Sequence, residues 1–254
     1  MLSNLYDLDT EHIVARKTME PLDRLACAVT DELVAEVKRC YDHFEIHDAY
    51  LRIVEFESTV SALYFDALKD PLYSRAANDP RRRSAQSALL YVLTAFLTVV
   101  APVLSFTSEE AWQTLPEDLR DGAQSIFDTS FDHSHTRLGK GTSASGSSLA
   151  LWNTLRDLRS RVAASESPRD FEAKACVHAP TALHAELTAL GDNLREALVV
   201  SQLELTQTPD QTPTVTITPA DGSKCKRCWK YRKLGTDPNH PSLCSDCAQV
   251  VQNM

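Results

Sequence analysis

The sequence predicts a mainly α-helical protein: an antiparallel helical bundle, then a small α+β module, then a short four-cysteine knuckle. Three observations carry this. Apolar residues recur at three- and four-residue spacing through the first 116 positions. The pattern shifts to short β-rich runs between helical ones after residue 170. Two C-x-x-C pairs stand near the C-terminus, at Cys225 and Cys228 and at Cys244 and Cys247.

The first helix follows from Leu22, Leu25, Ala26, Val29, Leu33, Val37, Cys40, Tyr41 and Phe44, one stripe along residues 19–44. A second periodic run, over residues 47–69, passes through Tyr50, Ile53, Val54, Val60, Leu63, Tyr64 and Leu68. The Asp70-Pro71 step is expected to end or kink it. The stretch "NDPRRRSAQ" opens a third helix whose interior, "ALLYVLTAFLTVVAPVL", is apolar nearly all round and therefore central to the bundle. Pro102 is expected to close or kink that helix, and its apolar run falls short of the ~20 residues a membrane span needs. Thr107 with Glu110 three residues on is a capping-box signature for a fourth helix, carrying Trp112 and Leu115 and stopping at Pro116. Residues 1–116 form the helical domain.

Residues 117–148 are polar and end in a Gly/Ser/Thr-rich tract, so they are expected to be a linker. "DHSH" (132–135) and "LGKGTSASGSS" (138–148) within it are assigned to solvated loop rather than to a metal or phosphate site. A fifth helix covers residues 149–164, with Leu151, Leu155, Leu158 and Val162 inward and Arg156, Arg159 and Arg161 outward. "FEAKACVHA" alternates as a strand, "TALHAELTAL" is helical, and "ALVVSQLEL" and "TVTIT" are β-rich. Residues 149–220 are the α+β module and residues 221–254 the knuckle.

The net charge of −9 excludes a broad cationic nucleic-acid surface and leaves room only for local basic patches. Neither G-x-x-x-x-G-K-[ST] nor G-x-G-x-x-G occurs, and no H-E-x-x-H or nucleophile–base motif is present, so no catalytic residue is assigned. The C-x2-C-x15-C-x2-C spacing of Cys225, Cys228, Cys244 and Cys247 fits one tetrahedral Zn2+ with no open position, a structural metal. Cys27, Cys40 and Cys176 lie in apolar patterns as buried thiols, and the cysteine usage fits a reducing cytoplasm with no membrane. Around the first pair stand Lys224, Lys226, Arg227, Lys230, Arg232 and Lys233, interleaved with Trp229 and Tyr231. Cations suit phosphates and aromatic faces suit unstacked bases, so this loop is a candidate RNA contact. Packing on the metal site and charge balance for four thiolates are the bland alternative. Arg81, Arg82 and Arg83 form a second basic cluster, at a helix start where cations oppose the helix dipole.

With those residues in view, "KCKRCWKY…LCSDC" resembles the C-terminal zinc motif of bacterial isoleucyl-tRNA synthetases. "NLYDLD", "YDHFEIHDAY", "LYFDALKDPLY", "RRSAQSALLYVL" and "APVLSFTSEEAWQTLP" resemble, in order, that family's helical domain, the class I synthetase anticodon-binding type of bundle. "SPRDFEAKACV" and "LREALVVSQLEL" resemble the module that follows it. The resemblance implies recognition of an isoleucine tRNA at its anticodon stem-loop, zinc on the four cysteines, and a role in ATP-dependent attachment of isoleucine. The family's H-x-G-H and K-M-S-K-S motifs and its editing domain have no counterpart here. The chain is thus expected to be the C-terminal part of the ligase, unable to activate isoleucine alone, with ATP bound only in the full enzyme and a separate catalytic half as a partner. The alternative is a free-standing, non-enzymatic tRNA-binding protein of the same domains. Formamidopyrimidine-DNA glycosylases share a similar finger but need proline after Met1, where this chain has Leu2.

Overall fold

The computed structural model describes residues 1–131, 138 and 146–253. They divide into two compact units, Met1–Ser61 with Ala77–Ala150, and Ala62–Ala76 with Leu151–Met254.

In the first unit, three 3-10 turns lead into α1 (Pro21–Asp42), which forms a hairpin with α2 (Ile46–Val60). Pro21 starts α1 where its missing N–H costs nothing. α4 (Pro80–Val100) runs beside α1 in the same direction. Ser84 Oγ donates to Asp23 at 2.6 Å at one end, and Tyr41 Oη donates to the Val99 carbonyl at 3.0 Å at the other. α4 is long and apolar enough to cross a membrane, but most of it is buried, as in the core helix of a bundle. α5 (Ser105–Gln113) follows through a turn in which Leu104, not Thr107, is the N-cap. The expected capping box does not form, because the chain turns three residues earlier and Thr107 falls inside the first turn.

Residues 117–131 are not the linker expected. Leu119 and Ile126 are buried, Trp112 Nε1 and Gln113 Nε2 donate to the carbonyls of Ala123 and Gln124, and Glu109 accepts from Ser125. Two 3-10 turns, Glu117–Leu119 and Ile126–Asp128, build this segment onto α5. Its polar composition hid two well-spaced apolar anchors. The "DHSH" stretch lies outside the described residues, as does most of the Gly/Ser tract.

The second unit begins where α2 gives way to a π-helical turn, Ser61–Phe65. α3 (Lys69–Ser74) then starts afresh. Pro71 sits in its first turn, where no intrahelical N–H bond is required, so the break precedes the Asp70-Pro71 step instead of falling on it. α6 (Gly146–Ala163) supplies Trp152, Leu155, Leu158 and Val162 to the core. Arg159 does not point outward: its guanidinium bonds Asp170 at 3.0 Å and lies 3.6 Å from Asp66. β1 (Ala173–Ala179), α7 (Thr181–Ala189), α8 (Asp192–Leu198), β2 (Gln202–Gln207) and β3 (Thr214–Pro219) complete the α+β part. β1 is central, parallel to β2 and antiparallel to β3. Its alternation of buried and half-buried residues puts Ala173, Ala175, Val177 and Ala179 on the core face. The knuckle closes the unit with β4 (Ser223–Lys224), β5 (Tyr231–Arg232) and α9 (Ser245–Gln252).

Candidate metal centre and its basic rim

β4 and β5 pair antiparallel, Ser223 with Arg232 and Lys224 with Tyr231, and the turn between them carries Cys225 and Cys228. Gly222 enters this hairpin at φ +97, and a Cβ there would stand 2.7 Å from the Arg232 carbonyl oxygen. Cys244 is the N-cap of α9 and Cys247 lies in its first turn. The four sulfurs lie within 4.8 Å of one another, and Cys225, Cys244 and Cys247 are buried. A tetrahedral zinc with Zn–S of about 2.3 Å sets sulfurs about 3.8 Å apart. The Cys228–Cys244 sulfur separation is 3.8 Å, and all four cysteines are free thiols.

The electrostatics favour a cation at this point. Burial opposes the Cys225 thiolate, yet the backbone N–H groups of Cys228, Cys244 and Arg227 bring its pKa down to about 6. Cys228 is driven the other way, by Cys247 beside it and then by burial. Four neighbouring thiolates repel one another unless a divalent ion lies among them.

The basic and aromatic residues of the knuckle separate into two sets. Lys224, Lys226 and Lys233 are exposed, and Trp229 is 62% exposed. Trp229 has φ +63, a left-handed conformation that bulky residues rarely adopt. Its N–H donates to the Cys225 carbonyl at 2.9 Å, and the Cys225 N–H donates to the Lys230 carbonyl at 2.9 Å. This tight turn around the first two sulfurs imposes the conformation. The other set is buried or half-buried. Lys230 is 2% exposed, with Nζ 2.6 Å from Asp70 Oδ2 and 5.8 Å from the ring of Phe171. A lysine so enclosed cannot reach RNA, which corrects the expectation for this residue. Arg227 donates to the Ser74 carbonyl, and the N–H of half-buried Tyr231 donates to Ser201 Oγ at 2.7 Å. Arg232 pairs with Asp246 at 2.7 Å.

Two of the three arginines at the start of α4, Arg82 and Arg83, are also engaged within the fold. Asp79 caps α4 by accepting from the Arg81 N–H at 2.9 Å. Arg82 pairs with Asp7 at 2.8 Å, and Arg83, buried, donates to the Asp7 carbonyl at 2.7 Å and to Gln86 at 2.8 Å. Gln86 in turn donates to Asp7 and to the Asn4 carbonyl. Arg82 and Arg83 therefore tie the N-terminal turns to α4. A helix start rich in arginine gives no sign of whether its partners are phosphates or carboxylates of its own chain. Asp7, Asp70, Ser74 and Ser201 escape a reading of the sequence, because no local pattern links them to partners far along the chain.

Residues 23–171 match the family model described as the anticodon-binding domain of tRNA ligase. The chain belongs to that family, which implies tRNA binding. Residues 222–250 match a second model, the zinc finger found in FPG and IleRS. Among named relatives, the isoleucine–tRNA ligase of Nitratidesulfovibrio vulgaris is 33% identical over 99% of this chain and 29% of its own length. That of Ralstonia pickettii is 36% identical over 97% of the chain and 26% of its own length, and that of Lawsonia intracellularis 30% over 100% and 29%. The chain thus spans between a quarter and a third of the length of these relatives.

Proposed function

We propose that this chain is the anticodon-reading part of an isoleucine–tRNA ligase, acting in the cytoplasm on isoleucine tRNA. The activity of the whole ligase, with its ATP-dependent attachment of isoleucine, resides in a catalytic portion to which this chain delivers the tRNA. The observation that carries the reading is the exposed Trp229, held left-handed on the cysteine turn among solvent-facing Lys224, Lys226 and Lys233. An aromatic face beside cations suits a splayed loop base and the phosphates around it.

Cys225, Cys228, Cys244 and Cys247 are the ligands of one structural Zn2+. The metal closes a segment too short for its own apolar core. The protein's own part is to bury three of the sulfurs and to aim backbone N–H groups at Cys225.

Changing Lys224, Lys226 and Lys233 together to glutamine tests the reading. Removing one lysine–phosphate pairing lowers the slope of log affinity against log salt by about 0.7 on single-stranded RNA. The triple variant should therefore show a slope shallower by about 2 when titrated with an RNA stem-loop bearing an isoleucine anticodon. An unchanged slope excludes this rim as the RNA-binding surface.

A further inference from the structure

The outward side of the knuckle meets solvent, while its inward side sends two cations to one short helix. Lys230 reaches Asp70, and Arg227 reaches the Ser74 carbonyl. Asp70 and Ser74 are four residues apart on α3 and so share a face. Two further charges of α8 attend the pair: Arg195 and Glu196, 4.0 Å apart and both largely buried. Charged groups this deep are retained at a cost. A buried ion pair stabilises a fold no better than apolar side chains of equal volume, whereas breaking one strands a buried charge. Its distinctive property is direction, because an ammonium must meet its carboxylate in one place. Trp229 lies immediately between two such fixed points, the metal ligand Cys228 and the buried Lys230.

We propose that Asp70 and Lys230 are positioning residues that set the direction of Trp229, so that a short helix in the first third of the chain governs how the knuckle presents itself to RNA. The proposal rests on the anticodon-reading function above. Neither residue touches RNA; the carboxylate of α3 acts through the lysine that follows the tryptophan.

Three full-length variants test this: Asp70→Asn, Lys230→Met, and the apolar pair Asp70→Leu with Lys230→Met. The chain has three tryptophans, and Trp112 and Trp152 are 1% exposed, so acrylamide quenching reports Trp229 selectively. The probe is an RNA stem-loop with an isoleucine anticodon. Each single variant should keep its zinc, measured by atomic absorption, yet bind the RNA about tenfold or more weakly. The apolar pair should recover thermal stability without recovering affinity, and its Trp229 should show altered quenching. Wild-type affinity in Asp70→Asn, or recovery of affinity together with stability in the apolar pair, overturns the proposal. If a single variant does not fold, the apolar pair decides alone. If the unaltered chain fails to bind the RNA, the functional reading falls. The positioning claim is then judged on quenching: a change in the apolar pair upholds it, and an unchanged quenching constant refutes it.

Discussion

Trp229 is under two opposed demands, one from the backbone and one from its ring. Its left-handed φ costs roughly 1–2 kcal/mol for a residue with a Cβ, and glycine relieves that at some expense in unfolded-state entropy. Trp229→Gly should leave the knuckle as resistant to zinc chelators as before, or more so by up to about 1 kcal/mol. The same change should weaken RNA binding by about 1–3 kcal/mol, the worth of one stacked base. A chelator titration and an RNA anisotropy titration on the same variant check both signs. Gly222→Ala should act in reverse: a Cβ pressed against the Arg232 carbonyl at positive φ should speed zinc loss. The four cysteines were legible because metal-ligand spacing is a local code. The split of the neighbouring cations was not, since Lys226 and Lys230 look alike in sequence and differ only in that Asp70 lies beneath one of them.

At the scale of elements, the start of α4 shows how a cationic run is absorbed into a fold. Arg83→Met should lower the stability of the first unit by about 2–3 kcal/mol, because buried partners are left behind. It should leave the salt dependence of RNA binding unchanged; a reduced slope would return Arg83 to the RNA surface. Asp7, at the other end of this network, is opposed by burial but held below its ordinary 3.8 by Gln86 and then Arg82. A depressed carboxylate contributes fully above its unfolded pKa and loses that contribution as pH falls through the folded one. Asp7→Asn should therefore flatten the acid limb of stability below about pH 4, and denaturant midpoints across that range check it. The helices themselves were legible, since long apolar stripes have few other readings. Their ends were less so. Pro71 signals a helix end or a first turn equally well, and only packing of Leu68 and Leu72 selects the second.

Across the whole molecule, the compact units do not follow chain order. Ala62–Ala76 belongs with the C-terminal half, and the reason is chemical: α3 receives Lys230 and Arg227 from the knuckle. A reading of boundaries along the chain has no access to a segment that leaves one unit and returns from another. Zinc removal should consequently reach further than the knuckle itself. Amide exchange should rise in β4, β5 and α9 and also in α3, while α1 and α4 stay protected. Exchange confined to the knuckle would show that α3 stands without it. The most direct test titrates the full chain with two RNA stem-loops, one with an isoleucine anticodon and one with that anticodon alone replaced, while following Trp229 fluorescence. Tight, salt-sensitive binding and strong quenching by the first, with weakened binding by the second, is the predicted result. Equal affinity for both, or no response from Trp229, would contradict the claim that this surface reads an anticodon.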